Sequence, residues 1–156
     1  MQVMKYRNYI SLFIFFLMLS AGASAQTVTG RLLEDSVSRG SVVKGAIELA
    51  IPEGLHVNSN KPFSEYAIPT TVRISGIGFK PGGIIYPKGT NRKFQFSESE
   101  LNVYEGDVSI PFTFFLPRRF RGGILRVEAV VTYQACTEEV CFSPKETTIF
   151  MSAKVR

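Results

Sequence analysis

Across residues 43–51 an apolar or small side chain falls on every second position: Val43, Gly45, Ile47, Leu49 and Ile51, with Lys44 and Glu48 between them. Only extended backbone sends successive side chains to opposite faces, so this pattern describes a strand with one buried and one wetted face. Two further segments repeat it. Val108, Ile110, Phe112, Phe114 and Leu116 form one apolar face, and Leu125, Val127, Ala129, Val131 and Tyr133 form another, opposite Arg126, Glu128, Thr132 and Gln134. Pro111 lacks the N–H a central strand would use, which predicts an edge or a bulge there. Shorter strands are expected at Val28–Leu33, Thr71–Ser75, Phe94–Phe96 and Thr147–Ala153.

Turn signals separate these runs, among them Pro52-Glu53-Gly54, Pro87-Lys88-Gly89 and Gly122-Gly123. Residues 81–99, rich in Gly, Pro and Lys, read as one long irregular loop. No segment after residue 25 carries a helical stripe. About seven short strands, each with one apolar face, predict an all-β, immunoglobulin-like two-sheet β-sandwich. Its core should hold Ile47, Leu49, Ile110, Phe112, Phe114, Val127, Ala129 and Val131.

The N-terminus has a different character. Lys5 and Arg7 precede an apolar run from Ile10 to Leu19, and Ala23-Ser24-Ala25 supplies a small-residue cleavage pattern. A membrane-spanning helix needs about 20 apolar residues, roughly twice this run. Residues 1–25 are therefore expected to be a cleaved secretory signal, leaving one domain at 26–156 in an extracytoplasmic compartment. No cysteine follows the run, so no lipid anchor is expected. The formal charge is +5. Its nearest approach to a patch, Arg118, Arg119 and Arg121, is more simply a solvated turn than a nucleic-acid surface.

Chemistry rests on two cysteines, Cys136 and Cys141, in Tyr133-Gln134-Ala135-Cys136-Thr137-Glu138-Glu139-Val140-Cys141-Phe142. In an oxidising compartment such a pair tends to form a disulfide. A structural staple is one reading and a reactive bond the other. Closing so short a loop restricts the unfolded chain by only ~2 kcal/mol, against nearly 5 for a loop of about 100 residues. Short, exposed disulfides are the ones that exchange. Glu138 and Glu139 inside the ring disfavour a thiolate, which makes exchange depend on a docked partner.

The run Val131 to Glu146, VTYQACTEEVCFSPKE, resembles the active-site stretch of the DsbD N-terminal domain family, the periplasmic domains of thiol:disulfide interchange proteins. The resemblance extends more weakly to Pro52–Asn58 and to the strand near Pro111. It implies an immunoglobulin-like fold whose Cys136/Cys141 pair takes electrons from a membrane thiol transporter or thioredoxin-like donor and passes them to periplasmic thiol proteins. It places His56 and Asn58 beside the disulfide, with Tyr133, Glu138, Glu139 and Phe142 as further site-lining residues. Because the chain ends at Arg156, the partners are expected to be separate chains. Some relatives have an aromatic cap loop, and here the corresponding region holds Phe94, Phe96, Ser97 and Glu98.

Other sites are poorly supported. His56 is the only histidine, and with Cys136 and Cys141 it falls short of a convincing zinc set, so no metal or cofactor is expected. Ser59 and Ser64 lack a nucleophile elbow. The competing function is a non-catalytic secreted β-sandwich that binds or assembles through an edge strand, with the disulfide as its staple.

Overall fold

The computed structural model describes residues 26–156, so the expected signal at 1–25 lies outside the described residues. The twelve strands, in chain order, are β1 (Thr27–Leu32), β2 (Ser36–Val37), β3 (Ser41–Ile51), β4 (His56–Asn58), β5 (Thr71–Ser75), β6 (Lys80–Ile84), β7 (Thr90–Arg92), β8 (Leu101–Tyr104), β9 (Gly106–Leu116), β10 (Ile124–Tyr133), β11 (Ala135–Cys136) and β12 (Lys145–Val155). No helix occurs among the described residues.

Two four-stranded sheets, ordered β1-β3-β9-β6 and β2-β12-β10-β5, form the sandwich. Their inner faces are the alternating positions of β3, β9 and β10, and all eight expected core residues are buried there. They join one continuous cluster with Val72, Ile74 and Met151 from the second sheet. The architecture is thus the all-β, immunoglobulin-like sandwich that the alternation predicts.

A third four-stranded sheet, β11-β4-β8-β7, closes one end. Its strands β4, β8 and β11 continue from the ends of β3, β9 and β10 that lie together there. Below it sits a small second cluster of Phe94, Leu101 and Val103. This sheet was not expected, because two- to four-residue strands are too short to show a period.

Three expectations are corrected. β9 is an interior strand, between β3 and β6. Pro111 is tolerated because its carbonyl, and hence its missing N–H, faces β6, where the register shifts between Pro81 and Ile84 and Ile85 N–H donates to Pro111 O at 2.8 Å. The bulge was the right alternative. Residues 81–99 are not one loop, because β6 and β7 lie within that stretch. Backbone pairing there needs no side-chain alternation, so Gly82 and Gly83 in β6 hide it. Finally, Phe94–Phe96 is a turn rather than a strand. Ser97 N–H closes it onto Phe94 O at 3.3 Å, and its rings stack on one another at 5.3 Å instead of alternating across a sheet.

Candidate functional site

The site grows from the end of β10. After Tyr133 the chain passes into β11, which pairs with β4 so that Cys136 stands opposite His56 and Ala135 opposite Val57. The chain then reverses through Thr137–Val140. Thr137 is the clasp: its N–H donates to Val140 O at 2.8 Å, and its hydroxyl oxygen accepts from the N–H groups of Glu139 and Val140 at 3.2 and 3.1 Å. Phe142 N–H returns to Ala135 O at 2.8 Å. These bonds bring Cys136 and Cys141 face to face, 3.9 Å apart at Cα, and the two are joined by a disulfide.

The two sulfur-bearing residues are not equivalent. Cys136 is 0% exposed, whereas Cys141 is partly exposed and borders a cleft of about 760 Å³. Phe63, Tyr66, Phe96 and Gln134 are among the other residues lining it. Phe63 and Tyr66 are 66% and 87% exposed, so the cleft presents unburied aromatic surface beside the accessible cysteine. Phe63 also adopts a positive φ of 68°, a backbone state unfavourable for a residue with a Cβ. Its neighbour is held by a bond from Asn102 N–H to Pro62 O at 3.1 Å. Strained positions held open in this way concentrate at ligand clamps.

Opposite Cys136 an aromatic stack begins at His56 and reaches the cleft through Phe96. His56 is 1% exposed, its ring 4.0 Å from that of Phe94 and 6.5 Å from that of Phe96. Arg92, from β7, lies over Phe94 at 5.4 Å and ties Glu138 of the cysteine loop to Glu105, with the Glu138 contact at 2.7 Å. Burial pushes the His56 pKa below its usual value, and the pull of Glu105 and Glu138 in the other direction does not offset it. His56 Nε2 and Asn58 Oδ1 are buried without hydrogen-bond partners. Buried polar atoms are rarely left unpaired, so two beside one disulfide mark a place built for something besides stability.

A titration prediction arises here. Because the folded-state pKa of His56 is lowered, the unfolded chain takes up a proton first as pH falls below 6.5, the ordinary histidine value. Stability is therefore full above that pH and falls below it, by at most roughly 1.4 kcal/mol per pH unit for one proton. Thermal melts between neutral and mildly acid pH check this. The same slope in His56→Phe would assign the loss to other groups.

Most of the residues expected at the site are gathered. Cys136, Cys141, His56, Asn58 and Glu138 surround the disulfide, while Glu139 and Phe142 lie on its exposed rim. Tyr133 is 3% exposed and packs in the main core, so it supports β11 from beneath instead of facing the cleft. Segment 58–62, leading out of β4, is a polar frame. Ser59 N–H donates to Asn102 O at 3.0 Å, and Tyr104 O–H donates to Asn60 Oδ1 at 2.8 Å.

Four contributors escape sequence reasoning: Arg92, Thr137, Phe63 and Gln134. Gln134 Oε1 accepts from Asn58 Nδ2 at 3.0 Å and Ile68 N–H at 3.2 Å, while its Nε2 donates to Phe142 O at 3.1 Å. One amide thus locks three segments around Cys141. Gln134 and Thr137 lie in or beside the cysteine motif, which was the available signal; Arg92 and Phe63 depend on chain segments that meet only in the fold.

The protein family described as the N-terminal domain of the thiol:disulfide interchange protein DsbD matches residues 31–153. No individually curated protein matches by sequence. Among solved structures, the N-terminal periplasmic domain of ScsB from Proteus mirabilis superposes with a TM-score of 0.59 at 14% identity, covering 80% of this chain and 45% of that one. The likeness is one of fold, and this chain spans less than half of that relative's length. A type I cohesin of ScaB from Pseudobacteroides cellulosolvens is looser, with a TM-score of 0.44 and 11% identity over 83% of this chain and 92% of its own. The family match runs from within β1 into β12 and takes in both cysteines and the frame around them, so the chain belongs to the DsbD N-terminal domain family.

Proposed function

We propose that the domain is a periplasmic thiol–disulfide relay whose Cys136/Cys141 pair accepts two electrons from a dithiol donor and hands them to a thiol protein. One observation carries this reading: only one cysteine of the pair is reached by solvent. Cys136 is sealed, and Cys141 borders the aromatic cleft. An incoming partner thiolate can therefore attack Cys141 Sγ, breaking the bond so that Cys136 leaves as a thiolate. The partner's second thiolate then attacks the partner sulfur of the mixed disulfide and releases the thiolate of Cys141. The partner ends oxidised, and the pair, after taking up two protons, ends as two thiols. Running the same steps backwards against an oxidised client delivers the electrons.

The surroundings fit that cycle. The hairpin is already held by Thr137, by the bond from Phe142 to Ala135 and by Gln134, so opening the disulfide need not open the fold. His56, opposite Cys136, keeps an unpartnered ring nitrogen on the strand that faces the new thiol. The turn at 93–99, carrying Phe96, Ser97 and Glu98 along the cleft, stands where an aromatic cap would control access. The donor and client are thioredoxin-like proteins and a membrane thiol transporter. Residues 1–25 act as the export signal, and among the described residues no helix is long and apolar enough to cross a membrane.

The test is reduction without unfolding. A reduced thioredoxin-like protein is expected to release both thiols while the far-ultraviolet spectrum stays β-type and the melt falls by only a few degrees. If the pair stays oxidised against every dithiol protein, or the reduced chain unfolds at room temperature, the disulfide is the staple of a binding module.

A further inference from the structure

The end of the sandwich opposite the disulfide carries a second, larger groove, of about 980 Å³. Its floor is the outer face of β10 and β12, and its walls are the loops at 76–78 and 119–121. From Val127 to Cys136 the chain runs nine residues, mostly along β10, which at 3.3 Å each puts the groove at most about 30 Å from the disulfide. Nothing in the relay chemistry uses it.

Two features of this end belong together. The first is exposed apolar surface. Ile77 is 92% exposed at a loop tip between Gly76 and Gly78, Phe150 is 76% exposed on β12, and Ile124 is also exposed. On the other sheet, Val42 and Phe115 stand opposite each other, exposed, at the same end. The second is unbalanced positive charge. Arg119, Arg121 and Arg126 line the groove with a single carboxylate, Glu128. None of the three arginines is ion-paired among the described residues. Arg39 braces this end, donating to Phe120 O at 3.1 Å and Gly122 O at 2.9 Å, so the 119–121 loop is held in place.

Apolar side chains at a protruding tip, ringed by unpaired arginines, match the boundary of an anionic bilayer: headgroup charge outside, hydrocarbon just beneath. A second copy of this chain is a poor occupant, because it would set arginines against arginines. We propose that this end docks on anionic phospholipid membranes, with Ile77 and Phe150 entering the headgroup boundary and Arg119, Arg121 and Arg126 pairing with lipid phosphates. The disulfide would then face away from the bilayer, open to proteins standing above it. This inference does not rest on the redox reading.

Co-sedimentation of the full protein with vesicles tests it. Vesicles of phosphatidylethanolamine and phosphatidylglycerol should bind the protein at low salt and release it at high salt, and pure phosphatidylcholine vesicles should bind far less. Each arginine is worth about fivefold in partitioning, so Arg119→Gln with Arg121→Gln should weaken binding roughly 25-fold. Ile77→Ser should cost about tenfold. The chain contains no tryptophan, so Ile77→Trp supplies a single reporter whose emission should shift to the blue on anionic vesicles only. If the double variant fails to fold, Arg121→Gln alone and the salt dependence of the tryptophan signal decide. Absence of binding to anionic vesicles at low salt, equal binding to neutral ones, or unchanged binding after arginine removal would overturn the proposal. Absence of binding to anionic vesicles would leave an acidic protein as the occupant of the arginine-lined groove.

Discussion

Cys141→Ser is expected to abolish electron transfer with a dithiol partner, and Cys136→Ser to abolish turnover while preserving the first chemical step. The asymmetry follows from position, since Cys136 is fully buried and Cys141 borders the cleft. A partner whose second cysteine is replaced by serine, carrying its attacking cysteine as a mixed disulfide with thionitrobenzoate, separates the two. In Cys136→Ser the Cys141 thiolate attacks the partner sulfur, thionitrobenzoate leaves, and a stable inter-protein disulfide accumulates because no resolving thiol remains. In Cys141→Ser the remaining thiol is enclosed, and release of thionitrobenzoate should be slower by a factor of about a hundred or more. This is a rate effect, not a folding effect: loss of a loop this short costs about 2 kcal/mol, which a melt of each variant will show. Equal reaction of the two variants would remove the asymmetry on which the relay reading stands. Unfolding of both would make the bond a staple.

The largest stability effect is expected at Phe112→Ala. Phe112 is almost completely buried, stacked 6.4 Å from Phe114, which itself packs on Phe79 at 4.1 Å. It lies opposite Gly45, and a Cβ built on Gly45 would come within 2.2 Å of the ring. The ring therefore occupies the space that a missing side chain leaves. Truncation should cost about 3–5 kcal/mol through lost burial and the cavity left behind. Against a typical total of about 5–15 kcal/mol, that is a drop in melting temperature of roughly 10–20 °C. Gly45→Ala attacks the same contact from the other side and should cost about 1–3 kcal/mol by overpacking. Gly45→Ala combined with Phe112→Leu should be less damaging than the sum of the two, because the smaller side chain makes room for the new methyl. Denaturation curves of the wild type, the three single variants (Phe112→Ala, Phe112→Leu and Gly45→Ala) and the double variant decide it. A loss under about 1 kcal/mol for Phe112→Ala would mean the sheets do not pack here as described.

The same Gly45–Phe112 pair shows what could be read early and what could not. Alternation alone placed both residues on inner faces, because a strand offers only two faces and water selects one of them for apolar side chains. It said nothing of their being neighbours, which depends on the register of β3 against β9. Pro111 is similar. The sequence exposed a strand position with no N–H, but only the pairing showed that the gap is turned toward a bulge in β6 and not toward solvent.

At the site the division is sharper. Cys136, Cys141 and the acidic residues between them stand close in the chain, so their spacing and the family resemblance were enough to find them. Backbone connectivity and the period of each long strand were thus determined locally, along with the cores of both sheets. Arg92, Phe94 and Phe63 reach the site from two other stretches of chain, through short strands and the turns between them, and His56, which the resemblance also places there, arrives on another such strand. Such elements carry no period because their pairing energy lies in the backbone, which every residue but proline supplies alike. Tertiary structure decided which sulfur is sealed, which carboxylate Arg92 holds, and that the bare arginines at the far end share a groove with Ile77 and Phe150, because each of these depends on distances between segments far apart in the chain.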